Sequence, residues 1–421
     1  MSMTLRLKSP AATTFWLMVA AFLCYTGMYA VRKSFLAGQY IDSSFHGIHF
    51  KTVLVISQVI GYMLSKFLGI KYVSELKEQQ RGRMLIGLVS FGLLMLLAFA
   101  YVPNNLKPLA LFLNGLPLGM VFGVVLSYLE GRRQTELLVA ALSATFVFST
   151  GLVKTTGVWL LQNTPVNEYL MPFLTGLVFF PVFLLAVWML QGAKTRDPKD
   201  IEQRSARSPM RHQQRIDFLR KHGLLFLSLV LIYILLTMIR DFRDNFIVEF
   251  WAELGYADQP ALITLTEIPV AIIVLLLSAL GVLIYNNRIA FNTSLLAIAL
   301  AALVMLGVTI LFSRTQISPV TWMIGTGTGV YLPYILFHCL VFERLIALLR
   351  FQGNIGFLFY VADALGYAGS VAIMLFKEFG QFELTWVDFF VQLNLYAAAL
   401  ILFLVVLTAV LLQVKLRKKK S

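Results

Sequence analysis

The sequence is poor in cysteine and in charge. Its 421 residues include only two cysteines, and Lys, Arg, Asp and Glu together make up 13% of the chain. Two cysteines cannot build a disulfide framework or a zinc site of paired cysteines, so we interpret Cys24 and Cys339 as small packing residues. Soluble proteins carry about 25% charged residues. This deficit excludes an ordinary soluble protein and indicates that most side chains meet lipid or other buried helices.

Several patterns of other protein classes are missing as well. No His-Glu-x-x-His, Gly-x-Ser-x-Gly or Gly-x-x-x-x-Gly-Lys-Ser/Thr pattern occurs, which argues against a membrane-embedded enzyme. Alternating strands of about ten residues, typical of outer-membrane barrels, are also missing. We therefore expect no enzymatic activity, no metal site and no cofactor.

Long hydrophobic runs are abundant. Hydrophobic residues make up 59% of the chain, and the mean hydropathy is +0.79. The run Thr13–Val31 contains no charge, and Trp386–Leu412 is broken only by Asp388. Because a helix needs about 20 mostly apolar residues to cross the hydrocarbon layer, we predict an all-α membrane protein with twelve transmembrane helices. The predicted spans lie near residues 13–37, 52–72, 84–102, 107–129, 137–161, 168–190, 223–251, 259–285, 289–312, 319–342, 353–376 and 386–412.

A single long polar segment divides these spans into two sets of six. It covers residues 192–222 and is rich in Lys and Arg. We interpret it as a basic cytoplasmic linker. The predicted domains are an N-terminal six-helix bundle at residues 1–191, the linker, and a C-terminal six-helix bundle at residues 223–421.

The formal charge of +14 comes from Lys and Arg that collect in alternate loops. Nine of them lie in Lys194–Lys221, whereas Gln162–Glu168 and Ala252–Pro260 have none. This asymmetry is the positive-inside pattern. It predicts a multi-pass protein of the cell inner membrane with both termini in the cytoplasm. The lipid bilayer thus accounts for the positive charge, and we expect a monomer with no nucleic-acid partner.

Ionisable residues inside the predicted spans are the candidates for function. A charged side chain at the bilayer centre costs at least about 2.5–3.5 kcal/mol, so it normally faces a cavity or a partner. The candidates selected among them are Arg32, Lys33, Lys66, Lys154, Arg240, Asp241, Arg243, Asp244, Glu267 and Asp363, with His338 as a titratable neighbour.

Aromatic residues share helix faces with some of these charges. Tyr25 and Tyr29 lie seven and three residues before Arg32, and Tyr331 and Tyr334 lie seven and four before His338. Such spacings place side chains on one side of a helix. The pattern fits helices that surround a water-filled path, although tyrosines at this spacing also serve as ordinary helix packing.

Arg32 and Arg240 occupy comparable positions, because each follows an apolar run in the first span of its half. A pseudo-two-fold relation between the halves would bring both to one central cavity. The arginine fork matches carboxylate and phosphate oxygens, so the pair predicts an anionic solute, phosphate being the better match. Two alternatives remain open: Arg32 lies at the outer interface, or Arg240 forms a structural ion pair with Asp244.

Five motifs resemble those of the organophosphate:phosphate antiporters, a family within the major facilitator superfamily. They read Tyr25-Thr-Gly-Met-Tyr29-Ala-Val-Arg32-Lys33-Ser-Phe35, Gly61-Tyr-Met-Leu-Ser65-Lys66-Phe67, Leu235-Leu-Thr-Met-Ile-Arg240, Glu267-Ile-Pro269 and Gly366-Tyr-Ala-Gly-Ser-Val-Ala372. The resemblance implies the two-bundle fold of that superfamily. It also implies that Arg32 and Arg240 grip a phosphoryl group, that Lys66 is an accessory cation and that Glu267 is a charge partner. The family's histidine in the fifth span has no counterpart here, where Phe148 and Ser149 stand.

We therefore predict a secondary transporter that moves a small anionic solute, phosphorylated or carboxylated, by alternating access. Transport is driven by exchange, with phosphate as the counter-solute, or by proton coupling. The alternative is a non-transporting membrane sensor of an anionic ligand. The expected substrate-binding residues are Arg32, Arg240, Lys66, Tyr25, Tyr29, Lys154, Tyr331 and Tyr334. The expected charge-coupling residues are Glu267, Asp363, His338, Arg243, Asp244 and Lys33.

Overall fold

The structure is a computed structural model of the whole chain. It describes residues 10–41, 44–45, 47–74, 76–129, 135–192, 212–349, 355–380 and 384–417. Ten helices in these residues are long and apolar enough to cross a membrane. With two further long helices, Phe50–Ser74 and Ile355–Phe379, they complete the predicted set of twelve.

Each helix corresponds to one predicted span, so the helices are numbered in the same order. They are α1 Pro10–Lys33, α2 Phe50–Ser74, α3 Glu78–Tyr101, α4 Asn104–Leu129, α5 Thr135–Asn163, α6 Met171–Gln191, α7 His212–Glu253, α8 Ala261–Val282, α9 Asn287–Ser313, α10 Pro319–Leu349, α11 Ile355–Phe379 and α12 Trp386–Arg417.

The helices extend beyond several predicted boundaries. The start of α7 at His212 lies within the segment predicted as linker, and α12 continues to Arg417. Hydropathy marks only the part of a helix that lies in hydrocarbon, whereas backbone hydrogen bonding continues into the interface. The rest of the predicted linker, residues 193–211, lies outside the described residues.

The connection from α1 to α2 contains structure that hydropathy did not predict. A 3₁₀ turn, Ser34–Ala37, follows α1. A two-stranded antiparallel hairpin then pairs β1 (Ser44–Phe45) with β2 (Ile48–His49). Gly47 lies in its turn with φ of 81°, a left-handed conformation that glycine adopts without steric cost.

Contacts group the described residues into two compact units. Unit 1 comprises the chain up to Arg204 together with Asn245–Ile268, and unit 2 comprises Ser205–Asp244 together with Pro269–Ser421. The chain therefore passes from one unit to the other inside α7 and again inside α8. The bundle boundaries predicted from sequence stay a prediction.

Within unit 1, glycines allow the backbones of α2 and α4 to approach closely. A Cβ on Gly61 would lie 2.2 Å from the backbone oxygen of Phe112, and a Cβ on Gly115 would lie 2.3 Å from that of Gln58. Beside this contact, Gln58 Nε2 donates to Asn114 Oδ1 over 2.7 Å. Small residues are the usual means of close helix approach in membranes, where packing and interhelical hydrogen bonds replace the hydrophobic effect.

Substitution of Gly61 by alanine is therefore expected to destabilise the protein by about 1–3 kcal/mol, since the new methyl group meets a backbone atom that cannot rotate away. Thermal unfolding of the purified protein in detergent measures the loss. Gly87→Ala is the matched control, because nothing lies within 4 Å of a Cβ at that helical position. Equal melting temperatures for the two variants would contradict the close-approach account.

Candidate functional site

Arg32 lies in the last turn of α1 and is 5% exposed. Its guanidinium carbon lies 3.4 Å from the centroid of the Tyr62 ring in α2. Its backbone oxygen accepts a hydrogen bond from Gln58 Nε2 over 2.6 Å. The Arg32 side chain therefore packs against α2 inside unit 1 and is shielded from solvent.

Tyr62 also contacts Lys66, the second cation expected in unit 1. Lys66 Nζ lies 5.1 Å from the centroid of the same ring, one helical turn further along α2. The electron-rich face of an aromatic ring attracts cations. Tyr62 thus holds Arg32 and Lys66 in one cluster, although its role was not predicted from the sequence.

The two tyrosines expected beside Arg32 form a buried aromatic group. The Tyr25 and Tyr29 rings meet edge to face, with centroids 5.1 Å apart. Tyr25 also contacts Phe122 of α4 and Phe146 of α5, each with centroids 5.7 Å apart. The stripe on α1 therefore packs against α4 and α5.

Lys33, next to Arg32, has a different surrounding. Its ammonium donates to the Asn245 amide oxygen over 2.9 Å, and both residues are buried. Asn245 begins the part of α7 that belongs to unit 1. Lys33 therefore joins α1 to α7.

A second set of charges in unit 1 centres on an ion pair that the sequence reasoning missed. Lys51 Nζ lies 2.5 Å from Glu249 Oε1, with the two side chains 3% and 10% exposed. The ammonium also donates to the Leu36 backbone oxygen over 2.8 Å. Lys154, expected in the substrate site, is fully buried within electrostatic reach of both members of the pair. The structure thus places Lys154 with this pair.

Glu267 is buried where α8 crosses α5. It packs against Gly151, where an added Cβ would lie 2.9 Å from the Glu267 Cγ. Gly151 precedes Lys154 by three residues, so both lie on the same side of α5. The charge partner's role that the sequence motif implied for Glu267 stays a prediction.

In unit 2, Arg240 is 8% exposed and forms an ion pair with its neighbour in sequence. Its Nε and Nη2 donate to Asp241 Oδ1 over 3.0 and 2.6 Å. Its guanidinium carbon lies 4.0 Å from the centroid of the Tyr334 ring. The ion pair considered from sequence joined Arg240 to Asp244; the carboxylate that the guanidinium contacts here is that of Asp241.

Tyr233 links Arg240's surroundings to the titratable residues of unit 2. Its hydroxyl lies 3.0 Å from Asp363 Oδ1, to which it donates, and 3.2 Å from the Tyr334 hydroxyl. His338 Nδ1 lies 2.9 Å from the Tyr334 backbone oxygen, so this nitrogen carries the proton. His338 falls in a π-helical turn, Phe337–Val341, of the kind frequent at functional sites. The structure therefore places Asp363, His338 and Tyr334 close together, and their expected roles stay a prediction.

Arg243 occupies a separate place in unit 2. Its Nη2 donates to the Met323 backbone oxygen over 3.1 Å, and its guanidinium carbon lies 5.7 Å from the Tyr331 ring centroid. A Cβ on Gly327 would lie 3.0 Å from Nη2, so Arg243 fills the space that this glycine leaves on α10. Asp244, also buried, ends the part of α7 that belongs to unit 2.

The end of α1 in unit 1 is fixed by a loop carboxylate. Glu168 accepts from the backbone N–H groups of Gln39 and Tyr40 over 2.7 and 2.9 Å. Tyr40 has φ of 54°, which is uncommon for a residue with a side chain. Burial raises the pKa of the Tyr40 phenol, and its hydroxyl donates to the Phe35 backbone oxygen over 2.9 Å. These contacts hold the α1–α2 connection against the loop that precedes α6.

The fold matches solved transporter structures along nearly the whole chain. A D-xylose–proton symporter aligns with a TM-score of 0.58 and 12% identity, covering 93% of this chain and 97% of that chain. The nucleoside transporter NupG gives 0.60 and 11%, covering 94% and 99%. The human organic anion transporter MFSD10 gives 0.53 and 14%, covering 95% and 100%.

Identities this low establish the fold alone, and it is the fold of the major facilitator superfamily, as expected. The described helices are those of a multi-pass membrane protein that shares its fold with these transporters. Within that class, the chain belongs to a family of unknown function (DUF5690), whose model matches residues 34–415. No curated protein matches the sequence.

Proposed function

We propose that this protein is a secondary transporter of a small anionic solute that works by alternating access. One observation carries the proposal. The two arginines expected to bind the solute are both buried, and each lies over a tyrosine ring, Arg32 over Tyr62 and Arg240 over Tyr334. Buried arginines inside membrane spans are costly, and they normally serve a solute path or a structural pair.

Ring stacking suits an anion-binding role. It engages the flat face of the guanidinium, whereas the N–H donors project from its edges in a fixed fork. Stacking therefore fixes the plane of the fork. In Arg240 two donors of that fork, Nε and Nη2, already donate to Asp241, so an anion that binds there competes with the Asp241 carboxylate. Lys66, on the same ring as Arg32, adds positive field in unit 1.

Two likenesses support an anion as the solute class. The sequence motifs around Arg32, Lys66 and Arg240 resemble those of the organophosphate:phosphate antiporters. One protein of similar fold is an organic anion transporter. Phosphorylated and carboxylated solutes share the oxygen geometry that an arginine fork recognises, so the proposal covers both.

Coupling is proposed to use the titratable residues of unit 2. The Tyr233 hydroxyl bonds to Asp363, and His338 lies in the next turn beyond Tyr334. A carboxylate and an imidazole in a buried network are typical of proton relays in transporters. If transport proceeds by exchange for phosphate, these groups have only a structural role. The uptake experiment described below therefore identifies the coupling ion separately from the solute. We further propose an inner-membrane location with both termini cytoplasmic.

Thermal unfolding in the presence of candidate solutes tests the binding site. Phosphate, a sugar phosphate, a phosphonate and a dicarboxylate form the panel, and uncharged sugars serve as controls. A solute at about 100 times its Kd stabilises the folded state by about 2.7 kcal/mol, so at least one anion is expected to raise the melting temperature. No shift with any anion, or an equal shift with neutral sugars, would contradict the proposal.

Uptake into proteoliposomes then separates transport from sensing. The anion with the largest thermal shift is loaded outside, with either counter-anion inside or an imposed pH gradient. Uptake that needs internal anion identifies exchange, and uptake that follows the pH gradient identifies proton coupling. Binding without uptake under both conditions would overturn the transporter and leave the non-transporting sensor.

A further inference from the structure

The segment Asn245–Ile268, here called the α7–α8 hairpin, comprises the end of α7, its loop and the first turns of α8. It belongs to unit 1, although the residues that flank it on both sides belong to unit 2. The chain therefore crosses from one unit to the other inside α7 and again inside α8, where a continuous, rigid helix would otherwise be expected.

Each passage coincides with a break in helical bonding. Phe246 has φ of −118° and ψ of 17°, which is not helical, one residue after the passage in α7. Pro269 lies inside α8, immediately after the other passage. A proline lacks the N–H that would bond to the preceding turn, and such sites are where helices bend. The hairpin is thus connected to unit 2 through two bendable points.

On its other side, the hairpin is bound to unit 1 by buried polar contacts. Lys51 of α2 pairs with Glu249 at 2.5 Å, and Lys33 of α1 donates to Asn245 over 2.9 Å. All four side chains are buried. Exposed ion pairs contribute little, whereas removing one partner of a buried pair leaves an uncompensated charge.

The α5 side of the hairpin is held by weaker, neutral contacts. The Thr155 hydroxyl bonds with the Thr264 hydroxyl over 2.7 Å and donates to the Pro260 backbone oxygen over 2.9 Å. Gln162 donates to the Ala257 backbone oxygen over 3.0 Å in an exposed position. Among the polar contacts of the hairpin described here, the Lys51–Glu249 contact is the one that joins two opposite charges.

A cavity of about 210 Å³ lies under the hairpin and is open to the outside of unit 1. The hairpin lines it with Trp251 and Tyr256 among others, and the opposite wall includes Val158 and Gln162 of α5. The hairpin is therefore less closely packed against α5 at this cavity than beside Gly151, where Glu267 contacts α5.

We propose that Lys51 and Glu249 are positioning residues for transport, forming a latch that holds the α7–α8 hairpin closed over unit 1. When the latch opens, the hairpin turns about Phe246 and Pro269 and exposes the wall of the cavity. Loop charges predict this face to be extracytoplasmic, so the latch controls access from outside. The proposal rests on the transporter function proposed above, but its test requires no solute.

Accessibility of a cysteine under the hairpin reports the latch. Val158→Cys places a thiol on the cavity wall, where the native side chain is 9% exposed. The protein in nanodiscs is treated with a water-soluble maleimide, and labelling at each cysteine is followed by peptide mass spectrometry. The native Cys24 and Cys339 are buried, and they report any general loosening of the fold.

The latch is removed with Lys51→Met/Glu249→Leu, a double change that removes both members of the ion pair together and is therefore expected to fold. The labelling rate at position 158 is expected to rise about tenfold, as for a population shift of a two-state element. Rates at Cys24 and Cys339 should stay unchanged. The reversed pair, Lys51→Glu/Glu249→Lys, should return labelling toward the original rate.

Lys107→Met is the matched control, since Lys107 is an equally buried lysine in α4 that donates to the Phe99 backbone oxygen. Equal labelling of position 158 with and without the latch would overturn the proposal, as would an equal rise with Lys107→Met. A labelling increase in a protein that binds none of the anions would leave the latch standing and refute the proposed solute.

Discussion

Replacing Arg32 with alanine is expected to lower anion uptake at least about 100-fold, since each hydrogen bond to a charged group contributes about 1.5–3 kcal/mol and the fork makes two. The loss should appear as weaker solute binding, and the thermal shift caused by the anion should disappear as well. Arg32→Lys is expected to fall between alanine and the native residue, because an ammonium keeps the charge and loses the two-point geometry. Initial uptake rates in proteoliposomes, normalised to inserted protein, measure the effect.

Arg314→Ala is the control for this experiment, because Arg314 lies exposed after the end of α9. Its uptake should match that of the native protein. If Arg32→Ala transports as well as this control, Arg32 does not bind the solute, and its contact with Tyr62 is structural.

The second large effect concerns stability. Lys51→Met alone should cost about 3–5 kcal/mol of unfolding free energy, because it leaves the Glu249 carboxylate buried without its cation. Adding Glu249→Leu should recover most of this loss, since replacing a buried ion pair with apolar side chains is often neutral or stabilising. Unfolding by a denaturing detergent, monitored for the four members of the double-mutant cycle, measures the coupling energy.

An exposed pair in the same unit provides the comparison. Arg81 and Glu78 lie 3.6 Å apart at the start of α3, and the Glu78 side chain is 62% exposed. Glu78→Gln should change stability by less than about 0.5 kcal/mol, since such surface pairs contribute little. Similar losses for the single substitutions Glu78→Gln and Lys51→Met would show that burial does not decide the contribution of these pairs.

The number and order of helices were predictable because a span of about 20 apolar residues has few alternatives in a membrane. Helix ends were less predictable. Lys51 lay one residue outside the predicted second span and was not considered as an intramembrane charge, yet it is 3% exposed near the start of α2. Hydropathy cannot show that a polar side chain at a helix end is covered by another helix.

The site was partly predictable. Intramembrane charge pointed to Arg32 and Arg240, and helical spacing pointed to Tyr334 and His338. Glu249 lay within the predicted seventh span, and its charge alone was a usable signal. Tyr62 and Tyr233 gave no comparable signal, because their roles depend on which ring lies under a guanidinium or beside a carboxylate. Such partners are fixed by tertiary packing, which a sequence pattern does not specify.

The latch also bears on how the chain is made. Lys51 and Glu249 are 198 residues apart in sequence, so a ribosome adding about 5–20 residues per second incorporates Lys51 roughly 10–40 s before Glu249. During that interval Lys51 has no carboxylate of its own, and its flexible stem allows the ammonium to reach the lipid headgroups. Its place near the start of α2, one residue before the predicted second span, shortens the distance that the ammonium must reach. The ion pair is therefore a late event of assembly, and it forms only after the α7–α8 hairpin has been inserted.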